Sequence, residues 1–388
     1  MNGVNPDMLA SSPSDDDALL NLATEDAEAA ESIALYKNEV PKFCVAELDN
    51  LYGSILSTVD QFTLDGSLAG ASTYVVTKCG EMKTILLFRN ENGIVTVLNQ
   101  MIHLNKDEIE RFADIIFMTF DKVSAISFTA IQTDLQDCAY PCLKFHWAED
   151  LVAPLPESED SLLSALGKNT REIVKRYARK IKRKFPSFRF DVYVGSEIDE
   201  GLAQEIYRLH KARMSRKGKG SNVDAPRFEK ILRLARLRGL MTVAKIDGEI
   251  CGGLICWRAG HDYFMRIIAH DPAYDEYKLG TVCCYRTMCE CIARGGRFFH
   301  FMSGRLLYKY RLLGIEQDFD TLILYRSRSA LLKSIWKMSR TIATGANRQT
   351  RLWLQNAERK DDFMSRMAVL LVRQWRMLKQ LRTALPGS

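Results

Sequence analysis

The residues best suited to chemistry in this chain fall in one short stretch, Phe298-Phe-His300-Phe-Met-Ser-Gly304-Arg305-Leu-Leu-Tyr308-Lys309. His300 alternates onto one strand face with Phe298 and Met302. An imidazole titrating near 6.5 is the candidate for moving a proton at neutral pH, and a satisfied core histidine is its plainer role. Arg305 and Lys309 would either hold a phosphate or face water. Upstream, Lys217-Gly-Lys219-Gly-Ser221 is a basic glycine-rich loop that either admits a substrate or stays an exposed turn. Of the ten cysteines, none is spaced C-x-x-C. Cys283, Cys284, Cys289 and Cys291 share one expected helix, where packing is their expected role, and no structural metal is expected. No G-x-S-x-G elbow, P-loop or Rossmann fingerprint is present, which disfavours hydrolase, NTPase and dehydrogenase chemistry.

An ordinary globular chain must position these groups. With 388 residues, 47% hydrophobic and 26% charged, it has the balance of a folded protein and length enough for two domains. The apolar run Met367–Val372 is far short of the roughly 20 residues that span a bilayer. The N-terminus carries acids where a signal peptide needs a basic and apolar segment, so a cytoplasmic protein is expected. The net charge of +6 is uneven. Residues 1–31 hold eight acids and no Lys or Arg, Lys168–Lys184 packs nine basic residues around Glu172, and residues 331–388 set twelve Lys and Arg against three acids. Such surfaces either stay solvated or meet an anionic partner.

Residues 1–30 are expected to form an acidic disordered tail. Strands are expected at Ser72–Thr77, Thr84–Arg89, Ile94–Leu98 and Ala125–Ala130, with a helix from about Asp107 to Phe120 capped by Asn105. Ala153–Pro156 reads as a linker. Two helices then run to Lys184, the second capped by Asn169, followed by the strand Phe188–Val194 and helices over 199–213 and from Asp224 to Gly239. Met241–Ile246, Glu249–Arg258 and Asp262–Ala269 are joined by Asp247-Gly248 and Ala259-Gly260 as a meander. Helix Gly280–Arg294, strand Arg297–Ser303, a short helix at Leu306–Leu313 and strand Asp318–Arg326 complete the order. Residues 331–388 read as basic helices, one with Trp375 on its apolar stripe, suited to self-association or to an anionic membrane surface.

This order in the second half resembles the GNAT acyltransferase fold. The stretch Phe298–Lys309 and the helix start Thr170-Arg-Glu-Ile-Val-Lys-Arg176 are similar to signatures of the cellulose-biosynthesis acetyltransferase-like (CelD/BcsL) group, whose members often have two GNAT-like halves. The fold class this implies is a mixed-sheet α/β protein with tandem GNAT-like domains. Its parts would be a degenerate first half (31–152), an acyltransferase domain (153–330) and a basic helical extension (331–388). The resemblance implies acetyl-CoA or another acyl-CoA as cofactor, its pyrophosphate held where the third meander strand leads into the next helix. Tyr277, Lys278, Leu279, Gly280 and Thr281 stand at that place, although the usual glycine pattern is reduced to Tyr277-x-x-Gly280-x-Val282. It further implies a backbone N–H at Ile267 or Ile268 polarising the thioester, Tyr308 as general acid, and His300 as base where the family usually has Asp. Lys217, Lys219, Arg305 and Lys309 would meet the substrate. The expected function is acyl-CoA-dependent N- or O-acyl transfer in a ternary complex to a small-molecule or saccharide acceptor, such as a cell-envelope or polysaccharide precursor, with no DNA partner. Two other readings remain open: a Fem-type transferase using aminoacyl-tRNA, and a non-catalytic basic module binding membranes or polyanions.

Overall fold

A computed structural model describes residues 22–23, 31–216, 218 and 223–334. The elements in chain order are β1 (Leu22–Ala23), β2 (Glu31–Tyr36), α1 (Cys44–Tyr52), α2 (Val59–Asp65), β3 (Ser72–Lys78), β4 (Glu81–Glu91), β5 (Ile94–Val97), β6 (Ile102–His103), α3 (Lys106–Thr119) and β7 (Ala125–Gln132). There follow β8 (Cys142–Pro154), α4 (Glu159–Ala165), α5 (Lys168–Lys184), β9 (Arg189–Val194), α6 (Glu200–Arg216), α7 (Ala225–Arg238), β10 (Gly239–Ile246), β11 (Glu249–Ala259) and β12 (Asp262–His270). The last are α8 (Leu279–Ile292), β13 (Phe298–His300), α9 (Leu307–Arg311) and β14 (Ile315–Tyr325). No helix among the described residues is long and apolar enough to cross a membrane. The expected acidic tail, apart from Leu22–Ala23, and the basic extension beyond Ser334 lie outside the described residues.

The described residues divide into two units. One comprises those up to Val40, Gly70–Ala148 and those from Asp318 on; the other comprises Pro41–Ala69 and Glu149–Gln317. Helices α1 and α2, which the sequence placed with the 31–152 half, thus pack with the second unit. The reason is visible in Arg238 at the end of α7, whose guanidinium meets Asp49 of α1 at 2.9 Å and Asp60 of α2 at 2.6 Å.

Both units are mixed α/β and repeat one arrangement: an antiparallel meander, a helix, then a strand parallel to the last meander strand. In the first unit β3, β4 and β5 form the meander and β7 runs parallel to β5. Helix α3 lies between them in sequence, its start fixed by a reciprocal capping box between Asn105 and Glu108, as expected. Its Phe112 packs edge-on against Tyr74, Phe88 and Phe128. After β5 the chain returns as β6 and pairs again with β7 through Ile102–Ile131 and His103–Gln132. That second pairing closes the fork.

In the second unit β10, β11 and β12 form the meander and α8 leads to β13, parallel to β12. Here the parallel pairing covers only Asp262–Phe264 against Phe298–His300. Three sequence expectations are corrected. Ala153 and Pro154 are no linker but the end of β8, paired with Phe299 and Phe298 because strand β13 needs an antiparallel neighbour on its other edge. Helix α5 begins two residues early, with Gly167 and not Asn169 at the N-cap. Strand β13 stops at His300, and Met302 turns left-handed at φ 59°, so the run Arg297–Ser303 is not one strand.

Candidate active site

The fork between β12 and β13 gathers Ile267, Ile268 and His300 of the predicted site residues. Its opening has a local cause. The β11–β12 register slips between Ile255 and Cys256, which face Ile267 and Met265, so Arg266 has no partner and forms a bulge. The Arg297 N–H donates to the His261 carbonyl on the β13 side, and the Asp271 N–H donates to the Cys251 carbonyl on the β11 side. Counting in twos back from Asp271 turns the N–H and C=O of Ile268 away from β11, onto the parted edge. Of the two predicted positions, the backbone of Ile268 is the one that faces the fork.

Sequence reasoning missed two residues of α6 at this edge. His210 donates from Nδ1 to the Ile268 carbonyl at 3.4 Å, a long contact. Burial and the neighbouring Arg213 pull its pKa below 6.5 against the opposing pull of that carbonyl, so the imidazole is neutral at pH 7. Arg213, one turn on, has a buried Nε with no hydrogen-bond partner, and burial lowers its pKa although Tyr308 and Asp275 act the other way. A clue existed in the spacing of His210 and Arg213, three apart on an expected helix. Only the packing of α6 on β12 gives it meaning.

Tyr308 on α9 packs edge-on to Phe301 at 6.4 Å between ring centres. Burial, with Cys284 adding to it and Arg213 opposing, holds the phenol well above its ordinary value. It is therefore protonated and able to donate. Lys309, expected at the substrate, points inward instead. It is 2% exposed, and its ammonium donates to the carbonyls of Phe301, Met302 and Ser303 at 3.0, 2.8 and 2.7 Å. The left-handed turn after β13 strands those carbonyls, and Lys309 satisfies all three, leaving no N–H for a ligand. Burial pushes its pKa down to about 8 against the pull of Asp150, Cys284 and Glu149. Arg305 is exposed and paired with Glu316 at 3.1 Å. Lys217 and Lys219 lie outside the described residues.

His300 sits at the last paired position of the fork, stacked on Phe264 with ring centres 4.1 Å apart. Its Nδ1 meets Asp150 at 2.7 Å, and its Nε2 lies 3.8 Å from Asp262, at ion-pair but not hydrogen-bond distance. Burial disfavours the imidazolium, yet Asp150 and Asp262 outweigh it and raise the pKa above 6.5. His300 is thus held by two carboxylates, whereas His210 is neutral at pH 7. Asp150 was hidden from sequence reasoning because it is 150 residues away and just ahead of the supposed linker.

At the start of α8, Lys278 takes a left-handed N-cap conformation at φ 48° with no side-chain cap on the helix. Gly280 lies so close to His270 that a Cβ there would stand 2.9 Å from its ring nitrogen, which accounts for the one glycine retained. His270 and Arg216 flank this helix end through Asp275, at 2.8 and 2.9 Å. The side chains of Tyr277 and Leu279 are buried in an apolar cluster with Ile181, Phe188 and Cys283. Only the backbone and the Lys278, Gly280 and Thr281 positions are left to meet an anion. The four cysteines of α8 are buried and free.

Residues 168–310 match the family model described as Acetyltransferase (GNAT) domain. No curated protein matches the chain. Among solved structures, FemX is similar over 73% of this chain and 96% of its own, with 11% identity and a TM-score of 0.54. A conserved protein of unknown function from Bacteroides thetaiotaomicron is similar over 74% of this chain and 96% of its own, with 10% identity and a TM-score of 0.50. At such identities the likeness is one of fold, and the fold is GNAT-like.

Proposed function

We propose that this transferase of GNAT fold moves an acyl group from an acyl-CoA to a nucleophilic acceptor by direct transfer at the β12–β13 fork. One observation carries the reading: the bulge at Arg266, beyond which the strands part and the Ile268 N–H faces the open edge beside a neutral His210. The closed fork of the first unit lacks that feature.

The residues present suit such a cofactor. The uncapped start of α8 offers backbone N–H groups and a helix dipole to a pyrophosphate, with the positive charges of Lys278 and Arg216 beside it. When bound, acyl-CoA supplies a thioester whose acyl group leaves its thiolate. The Ile268 N–H, turned to the parted edge, would donate to the carbonyl oxygen as it gains charge. His210, its Nδ1 proton held by the Ile268 carbonyl, has Nε2 to accept the acceptor's proton. The protonated phenol of Tyr308 can donate to the leaving sulfur. Following the resemblance to the cellulose-biosynthesis-like group, the acceptor would belong to polysaccharide or envelope metabolism.

Calorimetric titration with acetyl-CoA and CoA tests this. Wild-type protein is expected to bind at micromolar concentration. Gly280→Val, whose side chain would strike His270, is expected to lose that binding. Failure of the wild type to bind either compound overturns the reading. The Fem-type alternative draws on the face of α5 formed by Arg171, Lys175, Arg176, Arg179, Lys180 and Arg183. Binding of tRNA without CoA, weakening steeply with salt, would favour it.

A further inference from the structure

A cavity of about 440 Å³ opens beside the same strand, on the face opposite α8. Helix α2 walls it with Gln61 and Leu64, the first turns of α7 with Pro226 and Arg227, and the sheet with Trp257 and Arg266. The floor is the unusual part. Arg266, the bulged residue, lies over the Trp257 ring at 4.3 Å, while the indole N–H is engaged by the Ile231 carbonyl at 2.9 Å. Beyond that stacking, Arg266 makes no hydrogen bond or ion pair among the described residues, and its Nε is shut off from solvent with no partner. A buried guanidinium nitrogen with no partner in the protein calls for one from water or a ligand.

The surroundings favour an anion. Arg227 and Lys230 stand at the rim. The two carboxylates there are occupied, Asp65 by Lys230 at 3.4 Å and Asp224 by the Arg227 backbone N–H at 2.9 Å. Arg266 is two residues from Ile268, roughly 7 Å along a strand.

We infer that this cavity holds the acyl acceptor by an anionic group, a carboxylate or a phosphate, gripped by Arg266 with Arg227 and Lys230 at the mouth. The acceptor is then a small acidic molecule whose nucleophile reaches the fork while its charge rests on the bulge. This rests on the acyl-transfer reading for the word acceptor, but the anion site is measurable without it.

The test is calorimetric titration of the full-length protein with inorganic phosphate and, separately, with succinate, in the absence and presence of CoA. Saturable binding of at least one anion is expected to persist with CoA present, and the stronger of the two identifies the group. Arg266→Met, which keeps the packing on Trp257, should weaken it about tenfold or more, and Arg266→Lys much less. Should Arg266→Met fail to fold, Arg227→Gln at the exposed rim reads the same site, with a loss of about threefold expected. Absence of binding for both anions, or unchanged affinity in the folded variant, overturns the inference. Loss of CoA binding alone, with the Arg266-dependent site intact, would instead count against the acyl-CoA donor.

Discussion

Two histidines of similar sequence character shift in opposite directions: burial and Arg213 lower the pKa of His210 against the Ile268 carbonyl, while Asp150 and Asp262 outweigh burial and raise that of His300. If His210 is the base, the acid limb of a kcat/KM profile falls below 6.5 and activity is already flat at neutral pH. A limb above 6.5 would return the role to His300. Tyr308→Phe is expected to lower kcat about 100-fold with CoA affinity nearly unchanged, and wild-type turnover would remove Tyr308 as the acid. His300 also bears on stability. A folded pKa above the unfolded value adds stability that is complete below 6.5 and lost as pH rises through the folded value. Urea denaturation of wild type and His300→Gln should therefore differ most at pH 6 and converge in alkaline buffer. Lys309→Met leaves three buried carbonyls unpaired and should cost about 2–4 kcal/mol. His300 and Tyr308 were visible in the sequence as residue types at a plausible place. The inward turn of Lys309 was not, since a lysine's burial depends on carbonyls freed by a turn that no local pattern announces.

Elements governed by near neighbours were legible. The Asn105 cap could be read from Glu108 three residues on, and Asn105→Ala should destabilise the protein by about 1 kcal/mol in thermal or chemical unfolding. The Asp247-Gly248 turn between β10 and β11 was likewise plain. The bulge in β12 was not. Asp262–Ala269 reads as an unbroken strand, and the slip exists only relative to β11, whose residues lie on another run of the chain. The same holds for β13, where Phe298–Ser303 alternates well enough but loses its parallel partner after His300. Arg238 shows the converse. It stands at a helix end, where the dipole favours a basic residue, and there it anchors α1 and α2 through two carboxylates.

For the molecule as a whole, membership of Pro41–Ala69 in the second unit has a consequence for unfolding. In native-state hydrogen exchange, amides of α1 and α2 should open with β9–β12 rather than with α3 and β7; joint opening with α3 would contradict that grouping. The sequence alone determined the Asn105 and Asp224 caps, the hairpin turns of the second meander, most helices and strands of the second half and the mixed α/β class, because each follows from hydrophobic period and turn chemistry within a few residues. Tertiary structure alone decided which fork opens, which histidine stays neutral, and which arginine is left without a partner. Those outcomes depend on pairing register and burial set by residues as far apart as Asp150 and His300, and a carboxylate's effect on an imidazole falls off with distance in space, not along the chain.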